Sequence, residues 1–86
     1  MKRIGVVGII FSGNRESVQQ LQSVLSDYSE IIVGRMGVPL PEDRISAISV
    51  IVKGENDKIS ALTGKIGRLK DVNVKSVLNN VEIMEA

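Results

Sequence analysis

The 86-residue chain is 43% hydrophobic and carries 11 Lys plus Arg against 10 Asp plus Glu, a net charge of +1. That length holds one compact domain and one core, and the balanced charge creates no global field to draw in nucleic acid or an anionic membrane. With no Cys and no His, the chain lacks thiol nucleophiles, disulfides and the imidazole on which most general-base and transition-metal chemistry depends. It is therefore read as a non-enzyme without cofactor or metal site. A chain this short buries only roughly 60–65% of its unfolded surface, so association is expected to share in its stability.

Met1-Lys2-Arg3 ahead of Ile4–Phe11 imitates the start of a signal peptide, but Gly5 and Gly8 interrupt the apolar run and no small-residue cleavage site follows. No stretch reaches the roughly 18 apolar residues of a membrane span. A cytoplasmic location without membrane contact is expected. Residues Arg3–Phe11 are apolar at odd and even positions alike, the pattern of a strand covered on both faces. Ser12-Gly13-Asn14 then supplies turn and capping residues, and Val18, Leu21, Val24, Leu25 and Tyr28 fall on one stripe of a helix over about residues 14–28.

Glu30–Val38 reads as a second strand interrupted by Gly34 and Gly37, with a turn through Pro39–Asp43 whose prolines are expected to stay out of the sheet. Arg44–Lys53 is a third strand, with Ile45, Ala47, Ser49 and Ile51 on one side and Ile48, Val50 and Val52 on the other. Gly54–Asp57 starts a second helix whose buried stripe is Ile59, Leu62, Ile66 and Leu69. Asp71–Leu78 is a fourth strand, and residues 79–86 form a tail with an apolar segment, Val81–Met84. Strand, helix, strand, strand, helix, strand is the split βαβ order. The expected class is α+β: a ferredoxin-like βαββαβ fold over residues 1–86, with an antiparallel sheet of order 4132 and both helices on one face. The other face keeps apolar residues on the two central strands, which a second copy can cover.

Three blocks carry a family resemblance: Ile31-Ile32-Val33-Gly34-Arg35-Met36-Gly37, Ile59–Gly67 and Val72–Ser76. Together they look like the small proteins described as iron-only hydrogenase system regulators, over about residues 3–78. That family resembles ACT domains and the C-terminal domain of nickel-responsive repressors, ferredoxin-like modules that pair through their sheets and bind small effectors. The resemblance implies regulation, through hydrogenase or redox gene control. Without His or Cys, the nickel site of those repressors is not expected here. No counterpart of their DNA-binding arm is expected either, so direct nucleic-acid binding is not anticipated, and with Phe11 and Tyr28 as the only aromatics the sheet offers no RNA-stacking platform.

The candidate ligand residues are Ser12, Gly13, Asn14 and Arg15, in the turn where ACT domains hold an amino acid, together with Arg35 and Gly37. The turn joins helix N-terminal amides to a guanidinium and suits a carboxylate or phosphate; the alternative is a capped helix with a solvated Arg. Gly34-Arg35-Met36-Gly37 reads as a bulge or subunit contact, or as a site where Arg35 meets an anionic effector. Thr63-Gly64-Lys65 is followed by Ile66 and lacks the glycine spacing of a phosphate-binding loop. The expected assembly is a homodimer or homotetramer sensing a small anionic or amino-acid-like effector at a subunit boundary, with a protein partner downstream. The alternative is a structural adaptor without a small-molecule ligand.

Overall fold

A computed structural model describes residues 2–12 and 14–79. Met1, Gly13 and residues 80–86 lie outside the described residues, and the expected apolar segment Val81–Met84 falls there. The elements are β1 (Arg3–Phe11), α1 (Arg15–Asp27), a 3₁₀ turn (Ser29–Ile31), β2 (Ile32–Leu40), β3 (Ile45–Gly54), α2 (Asn56–Gly67) and β4 (Val72–Leu78). All pairings are antiparallel and the strand order is β2-β3-β1-β4. This is the expected 4132 sheet of a ferredoxin-like fold.

β1 is central because its odd positions pack under the helices while its even positions stay uncovered. Val7, Ile9 and Phe11 join Ile48, Val50 and Val52 of β3 beneath Leu21 and Leu25 of α1 and Ile59, Leu62 and Ile66 of α2. Seven of these side chains on the helices and β1 alone have at most 1% exposure: Val7, Ile9, Leu21, Leu25, Ile59, Leu62 and Ile66. Leu69, expected on the buried stripe of α2, follows the helix end and packs against the core from the connection to β4.

Gly5 and Gly54 serve this packed side. A Cβ on Gly5 would stand 2.6 Å from Cδ2 of Leu78, and one on Gly54 would stand 2.8 Å from Cγ2 of Ile31. Gly5 thus stands where the strands pack too closely for a side chain. At Gly8 nothing lies closer than the Lys75 carbonyl oxygen at 3.9 Å, because that position faces away from the helices.

The second strand differs from the sequence reading. β2 starts later and reaches Leu40, and Pro39 takes part in the ladder opposite Ser46. The expectation that the prolines stay out of the sheet fails for Pro39 because β2 is an edge strand, where a missing N–H can face solvent. The turn is confined to Pro41–Arg44, closed by the Asp43 amide donating to the Leu40 carbonyl (3.1 Å) and the Arg44 amide to that of Pro41 (3.2 Å), with Arg44 at φ 55°. The register slips between Ile32 and Gly34, which makes Val33 a bulge residue.

Beyond that bulge the even positions of β2 share the uncovered face with the even positions of β1. Ile4, Val6 and Ile10 of β1, Ile51 of β3, Met36, Val38 and Leu40 of β2 and Val77 of β4 are all exposed there. One side of the sheet is a closed core and the other is an open apolar surface.

Candidate functional site

The turn entering α1 is built around Asn14. Its Oδ1 accepts the Ser17 amide at 3.0 Å and its carbonyl accepts the Val18 amide at 3.1 Å, while the Ser12 amide donates to the Asp71 carbonyl at 3.2 Å. Ser17 is buried beneath this cap, and Arg15 and Glu16 are exposed on the first turn. The cap engages one of the amides that an anion would use, and Glu16 sets a negative charge beside the remaining ones. Gly13 lies outside the described residues. The local chemistry is a capped helix end with the Arg15 guanidinium in solvent.

Arg35 stands on the helix side of β2, opposite Val50, because the bulge at Val33 sets its direction. It lines an open notch of about 430 Å³ between β2 and the end of α1, with Gln22, Ser26, Ser29 and Gly34. A guanidinium beside an amide and two hydroxyls offers donors suited to a carboxylate or phosphate. Gly37 lies outside this notch. It faces Ile48, and a Cβ there would make ordinary contact at 3.8 Å, beside a smaller depression shared with Phe11, Pro39 and Ser46.

The sequence-derived residues therefore occupy three places. The registers put Arg35 level with Val50 and Val7, whereas Ser12 follows Phe11 four residues further along β1. That is roughly 13 Å along the strand and roughly 10 Å across two strands. One chain does not bring Arg35 to the α1 turn, and a pocket using both requires a second subunit.

The open face holds the broadest feature. At its centre Gly8 leaves a depression of about 340 Å³ lined by Met36, Val38 and Ile10 on the apolar side and by Ser49, Asn73 and Lys75 on the polar side. The sequence reading placed apolar residues on β1 and β3 but missed the contribution of β2. The signal was the alternation Gly34, Met36, Val38, Leu40 against Arg35, Gly37, Pro39, whose first set continues the apolar face.

Other charged groups have structural duties. Lys58 pairs with Glu30 and ties α2 to the 3₁₀ turn, and the hydrogen bond followed by the carboxylate's charge holds its ammonium pKa above the ordinary lysine value. The Lys65 ammonium sits 5.1 Å from the centre of the Tyr28 ring, joining the two helices. Among the described residues no three His, Cys, Asp or Glu cluster to hold a metal ion, and no helix is long and apolar enough to cross a membrane.

Comparison with known proteins places these features in context. Residues 3–76 match the model of a family called TM1266-like, which carries the provisional description of iron-only hydrogenase system regulator. The structure of the uncharacterized protein TM1266 from Thermotoga maritima is 33% identical, with a TM-score of 0.88 over 91% of this chain and 98% of that one. The ACT domain of GTP pyrophosphokinase from Chlorobium tepidum shares the fold at 18% identity, with a TM-score of 0.75 over 90% of this chain and 100% of that one. The C-terminal domain of MgtC from Mycobacterium tuberculosis does so at 11% identity and a TM-score of 0.69, covering 96% and 94%. A search of curated proteins finds no match.

Proposed function

The chain belongs to the TM1266-like family, and from that membership we propose that it is a non-enzymatic cytoplasmic regulator that works as a homodimer or homotetramer and senses a small anionic or amino-acid-like effector. The observation that carries this reading is the open sheet face, where the flanking and central strands present Ile10, Met36, Val38 and Ile51 to solvent in an isolated chain. A contiguous apolar surface of this kind is a place of association. The family's description supports a regulatory role tied to an iron-only hydrogenase system, and the ACT-like fold supports small-effector sensing.

Arg35 in its notch, the Ser12–Arg15 turn and the separate depression at Gly37 are the cationic and glycine-bearing places at which an anionic effector binds in this reading. They lie apart in one chain and on the side of the sheet away from the open face, so each is a candidate effector site in its own right. A thermal-shift screen with a panel of amino acids, carboxylates and nucleotides tests it. One compound is expected to raise the melting temperature in a dose-dependent way, and Arg35→Ala is expected to weaken its binding by about 1.5–3 kcal/mol, the scale of a charged hydrogen bond. A panel without any hit, on a protein of oligomeric mass, favours an adaptor role instead.

A further inference from the structure

Gly8 and Gly34 pose a question that the single chain does not answer. A glycine inside a strand costs about 0.5–1 kcal/mol relative to alanine, and Gly5 justifies that cost through its contact with Leu78. Among the described residues Gly8 has no atom nearer than 3.9 Å to its would-be Cβ, and Gly34 has none within 4 Å. Gly34 follows the bulge at Val33, a common place for a strand glycine, whereas Gly8 sits in an unbroken ladder, where such a glycine marks a close approach by another backbone or ligand.

The pairing registers arrange the open face in rows across β2, β3 and β1: Val38–Ala47–Ile10, Met36–Ser49–Gly8 and Gly34–Ile51–Val6. Each glycine stands in a row whose opposite end is a large side chain, and the middle positions on β3 include two small residues, Ala47 and Ser49. The fourth strand departs from this pattern in two of the three rows, since β4 adds Asn73 and Lys75 beside Ile10 and Gly8 and an apolar residue, Val77, only beside Val6. The apolar stripe is thus three strands wide and centred on β3.

We propose that this stripe is closed by a second copy related by a two-fold axis running along β3, with Met36 of each copy seated in the depression at Gly8 of the other. The proposal rests on the oligomeric reading given above and specifies its geometry. A two-fold along β3 lays β2 of one subunit over β1 of its partner, so the rows meet end to end. Met36, 65% exposed in the isolated chain, then covers Gly8, Val6 covers Gly34, and Val38 meets Ile10. Ala47 and Ser49 lie near the axis against their own copies, and their small size lets the sheets approach.

Such large-on-small pairing fills space at the density of a protein interior, and the contact is self-complementary, as a two-fold interface must be. Aligned sheets cross at about 30°. Met36 and Gly8 sit only one strand, roughly 5 Å, from the axis, so that tilt leaves them within reach. Three strands about 30 Å long present roughly 400 Å² in projection, the scale at which an exposed apolar patch marks an interaction surface. An axis across the strands through the same row would set Gly8 over Gly8, leaving a void, and Lys75 over Lys75, opposing two charges. The axis along β3 instead puts Lys75 at the rim, in water.

The natural absence of cysteine makes the geometry testable by cross-linking. Ser49→Cys, Met36→Cys and Gly8→Cys are made singly and treated with oxidant or a short bis-maleimide, and the last two are also mixed and refolded together. The axis along β3 predicts a covalent dimer from Ser49→Cys alone and from the Met36→Cys plus Gly8→Cys mixture, with little from either of those variants alone. Gly8→Cys linking to itself as well as the mixture does, or a dimer that none of these pairs links, overturns the geometry while leaving oligomerisation standing. A chain that runs at monomer mass overturns both. As a second readout, Gly8→Val fills the depression and is expected to weaken association at least roughly tenfold with an unchanged circular dichroism spectrum. Adding Met36→Ala is expected to recover much of that loss, and no recovery counts against the seat.

Discussion

Gly5 and Gly8 stand three residues apart on β1 and face opposite ways. On the helix side, Leu78 and Val52 close over Gly5 so tightly that a methyl group has no room, at 2.6 and 3.2 Å. On the open side, Gly8 sits at the floor of a depression that nothing among the described residues fills. The two faces of one sheet thus differ in what completes them. The helices complete one, where Val7, Val50 and Val52 have 0% exposure, whereas the other leaves Ile10 at 51% and Met36 at 65%. A residue on the helix face is expected to act through the fold, and one on the open face through the proposed association.

Substitutions that separate the faces sharpen or break this comparison. Leu62→Ala, at 0% exposure on the buried side of α2, is expected to cost about 2–5 kcal/mol of folding stability in denaturant melts. The truncation Ile10→Ala on the open face should leave folding of the isolated chain almost unchanged and weaken association. Equal losses in both would erase the distinction. Gly5→Ala should cost about 1–3 kcal/mol, since the new methyl also comes within 3.2 Å of the Val77 carbonyl oxygen, which cannot rotate away.

Asn14→Ala should cost about 1 kcal/mol by removing the cap on Ser17. Effector binding unchanged in that variant would leave the turn a helix cap and nothing more. The smallest effect is expected for Gly8→Ala in a chain held monomeric by Ile51→Lys. Urea melts there should show stability unchanged or raised by up to about 1 kcal/mol, because alanine is less costly than glycine in a strand and the site has room. A clear destabilisation would mean that Gly8, like Gly5, serves the chain itself.

Much of the closed face was legible in the sequence. The stripes Leu21–Leu25 and Ile59–Leu62–Ile66 follow helical spacing and became the buried sides of α1 and α2, and the doubly apolar run Arg3–Phe11 marked β1 as central. The edge strand was harder to read. Its glycines, its proline and its mixture of apolar residues at odd and even positions leave the direction of each side chain to a single slip at Val33, which depends on how β2 pairs with β3. That slip turns Arg35 toward the helix-side notch and Met36 toward the open face. The same geometry separates Arg35 from Ser12–Arg15, although both looked like parts of one cationic site. Sequence reveals residue types suited to a ligand, whereas their convergence depends on strand register, which here keeps Arg35 and the α1 turn apart.

The central claim is that the open face is an association surface, and solution mass tests it most directly. Static light scattering should give the parent chain a mass at a multiple of 9.3 kDa at micromolar concentration. Ile51→Lys, which puts an ammonium in the middle of that face while sparing the core, should give the monomer mass with an intact fold. A parent chain at monomer mass, or an Ile51→Lys variant that keeps the parent's oligomeric mass, would contradict the account.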